Sequence, residues 1–406
     1  MDVTPGIRRD PLPDLGAVGE DEALVARIRD EIERDGPMTF ARFMDLALYD
    51  PDGGYYRAAD ARPGREGDFL TAPEAHPIFG RTLSRAVADA WDRLGRPDPF
   101  VVREHGAGTG AMALAILDGL AAEHPELAAT VRYEPVEVDP RRLATLAGRL
   151  AAGGHESQLA VPAGPDAPDT PAAPNVPVTG FVIANEVLDA LPTHRLVQRD
   201  GVVREVRVGV DAASFIDVET ELSTPALAAR LADEGVRLRD DQQAEVCLEL
   251  QPWIEQAAAG LRRGVLLLID YGYPATELYD PARRGQGTLR AYLRHRVHDD
   301  PYVHVGRQDL TTHVDVTAVE RAAAGAGLDH LGTTTQAEFL VGLGAEDLLR
   351  AIQADPATTM EAYLEVRSAV IRLLDPGAMG RFRVMAFGRG WPAGPPLAGL
   401  AFRGPR

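Results

Sequence analysis

The chain has 406 residues, of which 45% are hydrophobic and 25% charged, and its formal net charge at pH 7 is −19. This length and composition predict a globular protein with a large core, built as one elaborated domain or as two. The acidic balance disfavours a nucleic-acid substrate, because such binding depends mainly on Lys and Arg neutralising phosphates. The single cysteine, Cys247, excludes an internal disulfide framework and a thiolate cluster for zinc.

The N-terminal stretch, residues 1–19, is rich in Pro and Gly without apolar periodicity, which predicts disorder. It lacks the apolar centre of a signal peptide, and no apolar run long enough for a membrane span follows anywhere. We therefore expect a cytoplasmic protein without a membrane-spanning helix.

The pattern over residues 20–98 predicts a helical extension that leads into a loop covering a ligand. Apolar residues recur at helical spacing from Leu24 to Ile32, and a second helix follows with Thr39 placed as its N-cap. The aromatic residues of this second helix fall on one face, which indicates core packing.

The loop at residues 64–80 is dense in Gly, Pro and polar side chains. Loops of this length inside compact domains tend to carry function. Asp68, Thr71 and Glu74 are therefore expected either to reach a bound ligand or to cap the helix that begins near Phe79, and the sequence leaves both alternatives open.

The chain is organised around residues 100–117, which combine an apolar strand, a glycine turn and a helix rich in Ala and Leu. Gly106, Gly108 and Gly110 lack Cβ atoms, so the backbone can turn sharply and lie against a ligand, while the helix offers unpaired N–H groups. Glu104 precedes the turn, and the third glycine comes one residue earlier than in the dinucleotide-binding spacing. The segment predicts a nucleotide-type site.

An acidic strand end follows at residues 131–139, which read as a strand finishing in Glu137 and Asp139. A carboxylate at this place in a βαβ unit suits a ribose, because it accepts the protons of both hydroxyl groups. The glycine turn and this acid together fit S-adenosylmethionine or NAD.

A second polar strand end lies in residues 180–192, where a fully apolar strand finishes in Asn185 and Glu186, with Asp189 close behind. Ligands of doubly wound sheets bind at the carboxyl ends of strands, so we expect these side chains to face the glycine turn. A charged side chain directly after four apolar residues is costly unless it has a partner, which favours catalysis over helix capping.

The remaining pattern sets the domain boundaries. The predicted divisions are a first part of the core at 99–194 with a flexible insertion at 151–178, an inserted substrate-facing segment at 195–260, a second part of the core at 261–390 and a tail at 391–406. Alternating residues around a turn at Asp200-Gly201 make the inserted segment an antiparallel sheet, with helices over 225–234 and 243–263. Helical patterns over 345–373 and a strand at 381–387 complete the core, and the histidine spacing fits no metal site.

Strands that alternate with helices, with these polar ends, give the layout of class I S-adenosylmethionine methyltransferases. The chain resembles the family of the mitochondrial complex I assembly arginine methyltransferase and its bacterial relatives. The matching runs are Leu48-Tyr-Asp-Pro-Asp-Gly-Gly-Tyr-Tyr56, Gly67-Asp-Phe-Leu-Thr-Ala-Pro-Glu74, Phe79-Gly80, Asn185-Glu-Val-Leu-Asp-Ala-Leu-Pro192, Asp270-Tyr-Gly-Tyr273, Gly287-Thr-Leu289, His313-Val-Asp315 and Met379-Gly380.

The resemblance implies a Rossmann-like α/β fold with a seven-stranded methyltransferase core, and S-adenosyl-L-methionine as the cofactor. It assigns the methyl-transfer site to Asn185, Glu186 and Asp189. The cofactor-binding residues that it implies are Glu104, Gly106, Ala107, Gly108, Gly110, Glu137, Val138, Asp68 and Thr71. Arg103 and His105 flank Glu104 where the family usually has aliphatic residues.

The expected activity is methylation of a protein arginine side chain, and a homodimer is an allowed assembly. A methyltransferase for small natural products and a non-catalytic assembly factor that binds S-adenosylmethionine are the alternatives. An NAD dehydrogenase fits the glycine spacing and the pair Asn185-Glu186 poorly.

Overall fold

The computed structural model describes residues 18–57, 70–160, 176–212 and 214–402. The described chain falls into two compact units, each assembled from three segments. The first unit takes its residues from Met1–Leu70, Leu188–Trp253 and Gly272–Ala322, and the second takes its residues from Thr71–Val187, Ile254–Tyr271 and Ala323–Arg406. Among the described residues, no helix has the length and apolar character needed to cross a membrane.

Helices and strands are numbered here in chain order. The α-helices of the described residues are α1 Glu22–Asp35, α2 Phe40–Tyr49, α3 Ala72–Ala75, α4 Ile78–Arg93, α5 Ala111–Glu123, α6 Pro125–Thr130, α7 Pro140–Ala152, α8 Pro225–Asp233, α9 Leu250–Ala259, α10 Ala275–Leu278, α11 Pro281–Arg284, α12 Val316–Gly325, α13 Gln336–Gly342, α14 Ala345–Ala354 and α15 Met360–Leu374. The strands are β1 Met38–Thr39, β2 Phe100–His105, β3 Val131–Val136, β4 Val178–Asn185, β5 His194–Arg199, β6 Val202–Asp211, β7 Ser214–Thr220, β8 Gln243–Val246, β9 Leu261–Asp270, β10 Gly272–Tyr273, β11 Arg290–Leu293, β12 Arg296–His298, β13 Asp309–Thr311, β14 Val314–Asp315, β15 Asp329–Thr335 and β16 Arg383–Arg389.

The second unit is built on a six-stranded sheet in the order β15-β16-β9-β4-β2-β3. The strands β3, β2, β4 and β9 run parallel, whereas β16 is antiparallel to both β9 and β15. Because the parallel strands point the same way, their carboxyl ends share one edge of the sheet. This edge receives the glycine turn and the polar strand ends.

Apolar strands and small residues explain how this sheet is covered. The middle strands are nearly continuous runs of buried residues, as expected for a parallel sheet packed on both faces. On one face α4 packs against α5, and a Cβ on Gly80 would come within 2.6 Å of the Ala115 Cβ. The absence of that carbon lets the two helices approach closely.

The first unit has its own sheet, in the order β1-β6-β5-β8 with β7 also paired to β6. The turn at Asp200-Gly201 joins β5 to β6, as the sequence predicts, and both residues adopt positive φ. Helix α2 begins where the sequence predicts, since the Thr39 hydroxyl accepts the Arg42 N–H at 3.2 Å. Its apolar face is buried in a core that includes Phe40 and Phe43.

The predicted helix over 243–263 is wrong. Residues Gln243–Val246 form β8, which pairs antiparallel with β5, and only Leu250–Ala259 is helical. Strand β9 then begins at Leu261, and Gly264 lies inside it next to Gly180 of β4 instead of ending a helix. The pairing with strands that are distant in sequence overrides the local helical spacing.

Three further differences between the sequence predictions and the structure concern the number of elements and where they begin and end. The helical pattern over 345–373 is divided between α14 and α15. The core sheet has six strands in the described residues, and the seventh position is marked by a single parallel bridge from Tyr133 to Leu159. The predicted insertion at 151–178 lies partly outside the described residues, but α7 continues to Ala152 and β4 already begins at Val178.

Candidate functional site

The glycine turn follows β2 at the carboxyl edge of the core sheet. Gly106, Gly108 and Gly110 have φ values of 69°, 52° and 84°, a backbone region that side chains with a Cβ rarely adopt. A Cβ on Gly106 would also come within 2.6 Å of the Val187 side chain, and one on Gly110 within 2.6 Å of Leu146. The N-cap of α5 is Gly110, which has no side chain to satisfy the first N–H groups of the helix.

Glu137 lies directly after β3 and is tied to the glycine turn. Its Oε2 accepts the Gly108 N–H at 2.7 Å, and its Oε1 accepts the N–H groups of Val138 at 2.9 Å and Asp139 at 3.2 Å. The backbone N–H groups of Gly106 and Ala107 both donate to the Val136 carbonyl. The structure therefore brings together the turn and the acid that the sequence connects with a ribose.

Glu104 is buried within β2, with 3% of its surface exposed. Its Oε2 accepts the Tyr133 hydroxyl at 2.5 Å. Burial raises the pKa of Glu104 to about 8, so without a ligand this carboxyl carries a proton at neutral pH. Tyr133 is a residue that sequence reasoning missed, although its place on the neighbouring predicted strand was a usable signal.

The two departures beside Glu104 have different environments. Arg103 is 1% exposed, and it donates to Glu134 across the strand pair at 2.6 Å and to the carbonyls of Gly260 and Val176 at 2.9 and 3.1 Å. Burial, reinforced by the charge of Arg103, lowers the pKa of His105 to about 4, so its imidazole is neutral. Arg103 therefore connects β2 to β3 through Glu134, and to the segments before β9 and β4 through Gly260 and Val176.

Asn185 and Glu186 lie at the end of β4, which neighbours β2. Glu186 adopts φ 53°, and its N–H donates to the Ile269 carbonyl at 2.8 Å. Its Oε1 accepts the Asn185 side-chain N–H at 3.0 Å and the Ala72 N–H at 3.1 Å. The two residues thus form one hydrogen-bonded group, and the carboxylate is fixed in position.

A further carboxylate, Asp270, ends β9 at the same edge. Its Oδ2 accepts the Val187 N–H at 3.2 Å and its Oδ1 accepts the Tyr271 N–H at 2.8 Å. Three of the four parallel strands, β3, β4 and β9, therefore end at or directly before acidic or amide side chains. Such convergence at strand ends is typical of ligand sites in α/β sheets.

The other predicted site residues are placed as follows. Asp189 belongs to the first unit, where it is buried in a 3₁₀ turn and its carbonyl accepts the Thr312 N–H at 2.9 Å. Thr71 immediately precedes α3 but its side chain makes no capping hydrogen bond. Asp68 lies outside the described residues.

The alternative that Thr71 or Glu74 caps the helix near Phe79 is wrong. Helix α4 begins at Ile78, and the Ile78 N–H donates to His76 Nδ1 at 3.0 Å. Glu74 instead accepts a hydrogen bond from Thr109 in the glycine turn, at 3.0 Å. In the described residues, no group of His, Cys, Asp and Glu side chains has the arrangement of a metal site.

The fold and the site are those of a class I S-adenosylmethionine-dependent methyltransferase. Antiparallel β16 lies beside β9 in an otherwise parallel core sheet, a glycine turn follows the first core strand, and an acid follows the second. Residues 82–334 match the family model described as "Putative S-adenosyl-L-methionine-dependent methyltransferase". The chain belongs to this methyltransferase family.

Relatives of known name agree with this class. The chain is 31% identical over 386 residues to the fruit fly (Drosophila melanogaster) protein named "Protein arginine methyltransferase NDUFAF7 homolog, mitochondrial", covering 90% of this chain and 84% of the fly protein. The human protein named "Protein arginine methyltransferase NDUFAF7, mitochondrial" is 26% identical, with 88% and 81% covered.

A solved structure extends the similarity to the whole fold. A protein from Burkholderia thailandensis, crystallised with S-adenosyl-homocysteine, is 36% identical to this chain, and the two structures superpose with a TM-score of 0.82. The match covers 96% of this chain and 97% of the Burkholderia chain. The cofactor of this methyltransferase is therefore S-adenosyl-L-methionine.

Proposed function

We propose that this methyltransferase acts on arginine side chains of a protein substrate. The observation that carries the proposal is the placement of Glu186 and Asn185 on the strand next to the glycine turn, at the same sheet edge. The proposal is also supported by the names of the fly and human relatives, which are protein arginine methyltransferases.

We assign the cofactor to the glycine turn. In this proposal Glu104 binds the charged amino group of the methionine end, and Glu137 binds the ribose hydroxyls together with the backbone at Ala107 and Val138. The contact of Glu137 with the glycine turn supports the assignment. Asp68 and Thr71 remain predicted cofactor contacts from the sequence.

Methyl transfer to arginine is a displacement at a sulfonium. Catalysis therefore depends on aligning the arginine nitrogen with the methyl group more than on covalent catalysis. A carboxylate that holds a guanidinium keeps the positive charge on one side, so that the other nitrogen remains electron-rich. The hydrogen bonds from Ala72 and Asn185 hold the Glu186 carboxylate ready for this role. Asp189 remains a predicted transfer-site residue from the sequence motif alone.

The test is transfer of a labelled methyl group from S-adenosylmethionine to a cell lysate. We expect label in protein, and methylarginine after acid hydrolysis. The variant Glu186→Ala should lower transfer on the order of 10²-fold or more, while its affinity for S-adenosylmethionine in calorimetry stays unchanged. The matched control is Glu126→Ala, which removes an exposed carboxylate paired with Arg96.

Two outcomes would reject parts of this proposal. Label in low-mass metabolites alone would favour a small-molecule methyltransferase, and cofactor binding without any transfer would favour a non-catalytic assembly factor. Full transfer by Glu186→Ala would remove Glu186 from the transfer site.

We also propose a cytoplasmic location and no nucleic-acid partner, the second supported by the net charge of −19. The fly and human relatives carry mitochondrial names. A homodimer remains a prediction, which sedimentation of the purified protein would check.

A further inference from the structure

The short helix α3 is held to two neighbouring strand ends. Its first residue, Ala72, donates its N–H to the Glu186 carboxylate after β4 at 3.1 Å. Ala72 and Ala75 are almost fully buried, so one side of α3 is packed in the core of the second unit. Glu74, the acidic side chain of α3, is directed towards the glycine turn that follows β2.

Glu74 contacts the glycine turn through a side chain. The Thr109 hydroxyl donates to Glu74 Oε1 at 3.0 Å. Arg149 of α7 approaches the same oxygen, with its Nη1 3.8 Å away. Thr109 lies between Gly108 and Gly110, so it offers the turn a side chain where its neighbours have none.

The contact between Glu74 and Thr109 matters because ordering a glycine backbone costs much conformational entropy. Three residues of the turn occupy the left-handed region, and glycine loses more conformational freedom on folding than any other residue. A Cβ on Gly108 would meet nothing within 4 Å, so no neighbouring group packs against this side of the residue. Glu137 holds the turn from the β3 side, and the Glu74–Thr109 pair holds it from the α3 side.

We propose that Glu74 is a positioning residue for the cofactor: through Thr109 it keeps the glycine turn in the conformation that receives S-adenosylmethionine. This proposal rests on the assignment of the cofactor to the glycine turn made under the proposed function. If the turn is already ordered before the cofactor binds, less of the binding free energy is lost to ordering the turn. Loss of the contact should therefore weaken cofactor binding and leave the methyl-transfer step unchanged.

The experiment compares variants that remove the hydrogen bond with variants that keep it. Glu74→Ala and Thr109→Val remove it, and each should raise the dissociation constant and the KM for S-adenosylmethionine about tenfold. Glu74→Gln and Thr109→Ser keep an acceptor and a donor, so they should restore most of the affinity. The double variant Glu74→Ala/Thr109→Val should bind no more weakly than either single variant, because both remove one interaction.

The matched control is Glu123→Ala. Glu123 ends α5 and pairs with Arg85, so its loss removes an ion pair of the same unit without touching the turn. We expect its cofactor affinity to equal that of the wild type. The rate of transfer into lysate protein at saturating cofactor should be the same for Glu74→Ala and the wild type.

The outcomes separate this proposal from the one on which it rests. If Glu137→Ala weakens cofactor binding but Glu74→Ala and Thr109→Val do not, the positioning role is overturned and the cofactor site stands. If Glu137→Ala leaves the affinity unchanged, the assignment of the site fails and the positioning role fails with it. A loss of affinity in Glu74→Gln and Thr109→Ser as large as in Glu74→Ala and Thr109→Val would also overturn it, since the hydrogen bond would not be the cause.

Discussion

The contact that we propose between Glu104 and the amino group of the cofactor couples cofactor binding to the protonation of this carboxyl. Burial raises the pKa of Glu104 to about 8, so the ligand-free carboxyl is protonated at pH 7. A bound ammonium group favours the ionised carboxylate. We therefore predict that binding of S-adenosylmethionine at pH 7 releases a proton from Glu104, and that affinity rises by up to about tenfold per pH unit until pH reaches about 8.

Calorimetric titration in two buffers with different ionisation enthalpies measures this proton directly. Glu104→Gln should bind more weakly, with the same heat in both buffers and an affinity that is independent of pH in this range. Equal heats in the two buffers for the wild type would show that Glu104 keeps its proton or does not contact the cofactor.

Arg103 and His105 show what a departure from a family pattern can and cannot indicate. Both stand beside Glu104 in the sequence, yet alternate residues of a strand face opposite sides of a sheet. Arg103 therefore faces Glu134 and two backbone carbonyls, away from Glu104. The sequence identified the unusual residue, but its role depends on partners up to 157 positions away.

The glycine turn and the helix after it can be tested by comparing two glycines. Gly110→Ala places a Cβ in a residue with φ 84° and within 2.6 Å of Leu146. We predict that this variant lowers the free energy of unfolding by about 1–2 kcal/mol or more and weakens cofactor binding. Urea unfolding and calorimetry measure the two effects.

The control is Gly148→Ala in α7. An added Cβ there meets nothing within 4 Å, so alanine should stabilise the helix by roughly 0.5–1 kcal/mol and leave cofactor binding unchanged. Equal behaviour of the two alanine variants would mean that the turn tolerates a side chain.

The elements that sequence patterns predicted well are those with strong local signals. Strand β2, the glycine turn and α5 form one continuous segment, and the apolar run before Asn185 matches β4. The predicted helix over 243–263 failed because apolar spacing in a short segment does not separate a strand from a helix. Its first residues are held by β5, about fifty positions earlier in the chain.

The same limit applies to the site. Residue types at strand ends indicated the glycine turn, Glu137 and the pair Asn185-Glu186, because parallel strands finish at one edge. The hydrogen bonds of Ala72 to Glu186 and of Thr109 to Glu74 span 114 and 35 positions, and no local pattern predicts them. Sequence reasoning therefore left the role of Glu74 open between a ligand contact and a helix cap.

Both units of the molecule contain a buried acid with a raised pKa. In the first unit the Glu234 side chain is fully buried, and Arg230 and Arg321 lie 3.8 Å from its Oε1. Burial, reinforced by the neighbouring Asp315 carboxyl, raises the pKa of Glu234 to about 8. The raised pKa means that the folded protein is most stable while Glu234 keeps its proton.

The consequence is a pH dependence of the whole molecule. Glu104 and Glu234 have folded-state pKa values of about 8, above the ordinary value of 4.5, so their contribution to stability is fully present below about pH 4.5 and is lost as pH rises through 8. We predict that the melting temperature of the ligand-free protein falls between pH 5 and pH 9 at constant ionic strength, and calorimetric scans measure it. Growing repulsion in a chain with a net charge of −19 acts in the same direction.

Two isosteric variants separate the local contributions from this general repulsion. Glu104→Gln and Glu234→Gln should each flatten the fall, and their effects should add because the groups that shift the two pKa values are different. Glu126→Gln, which changes an exposed carboxylate by the same amount of charge, should leave the slope unchanged. A slope that is the same in all four proteins would assign the pH dependence to net charge alone and would leave the buried acids without a part in it.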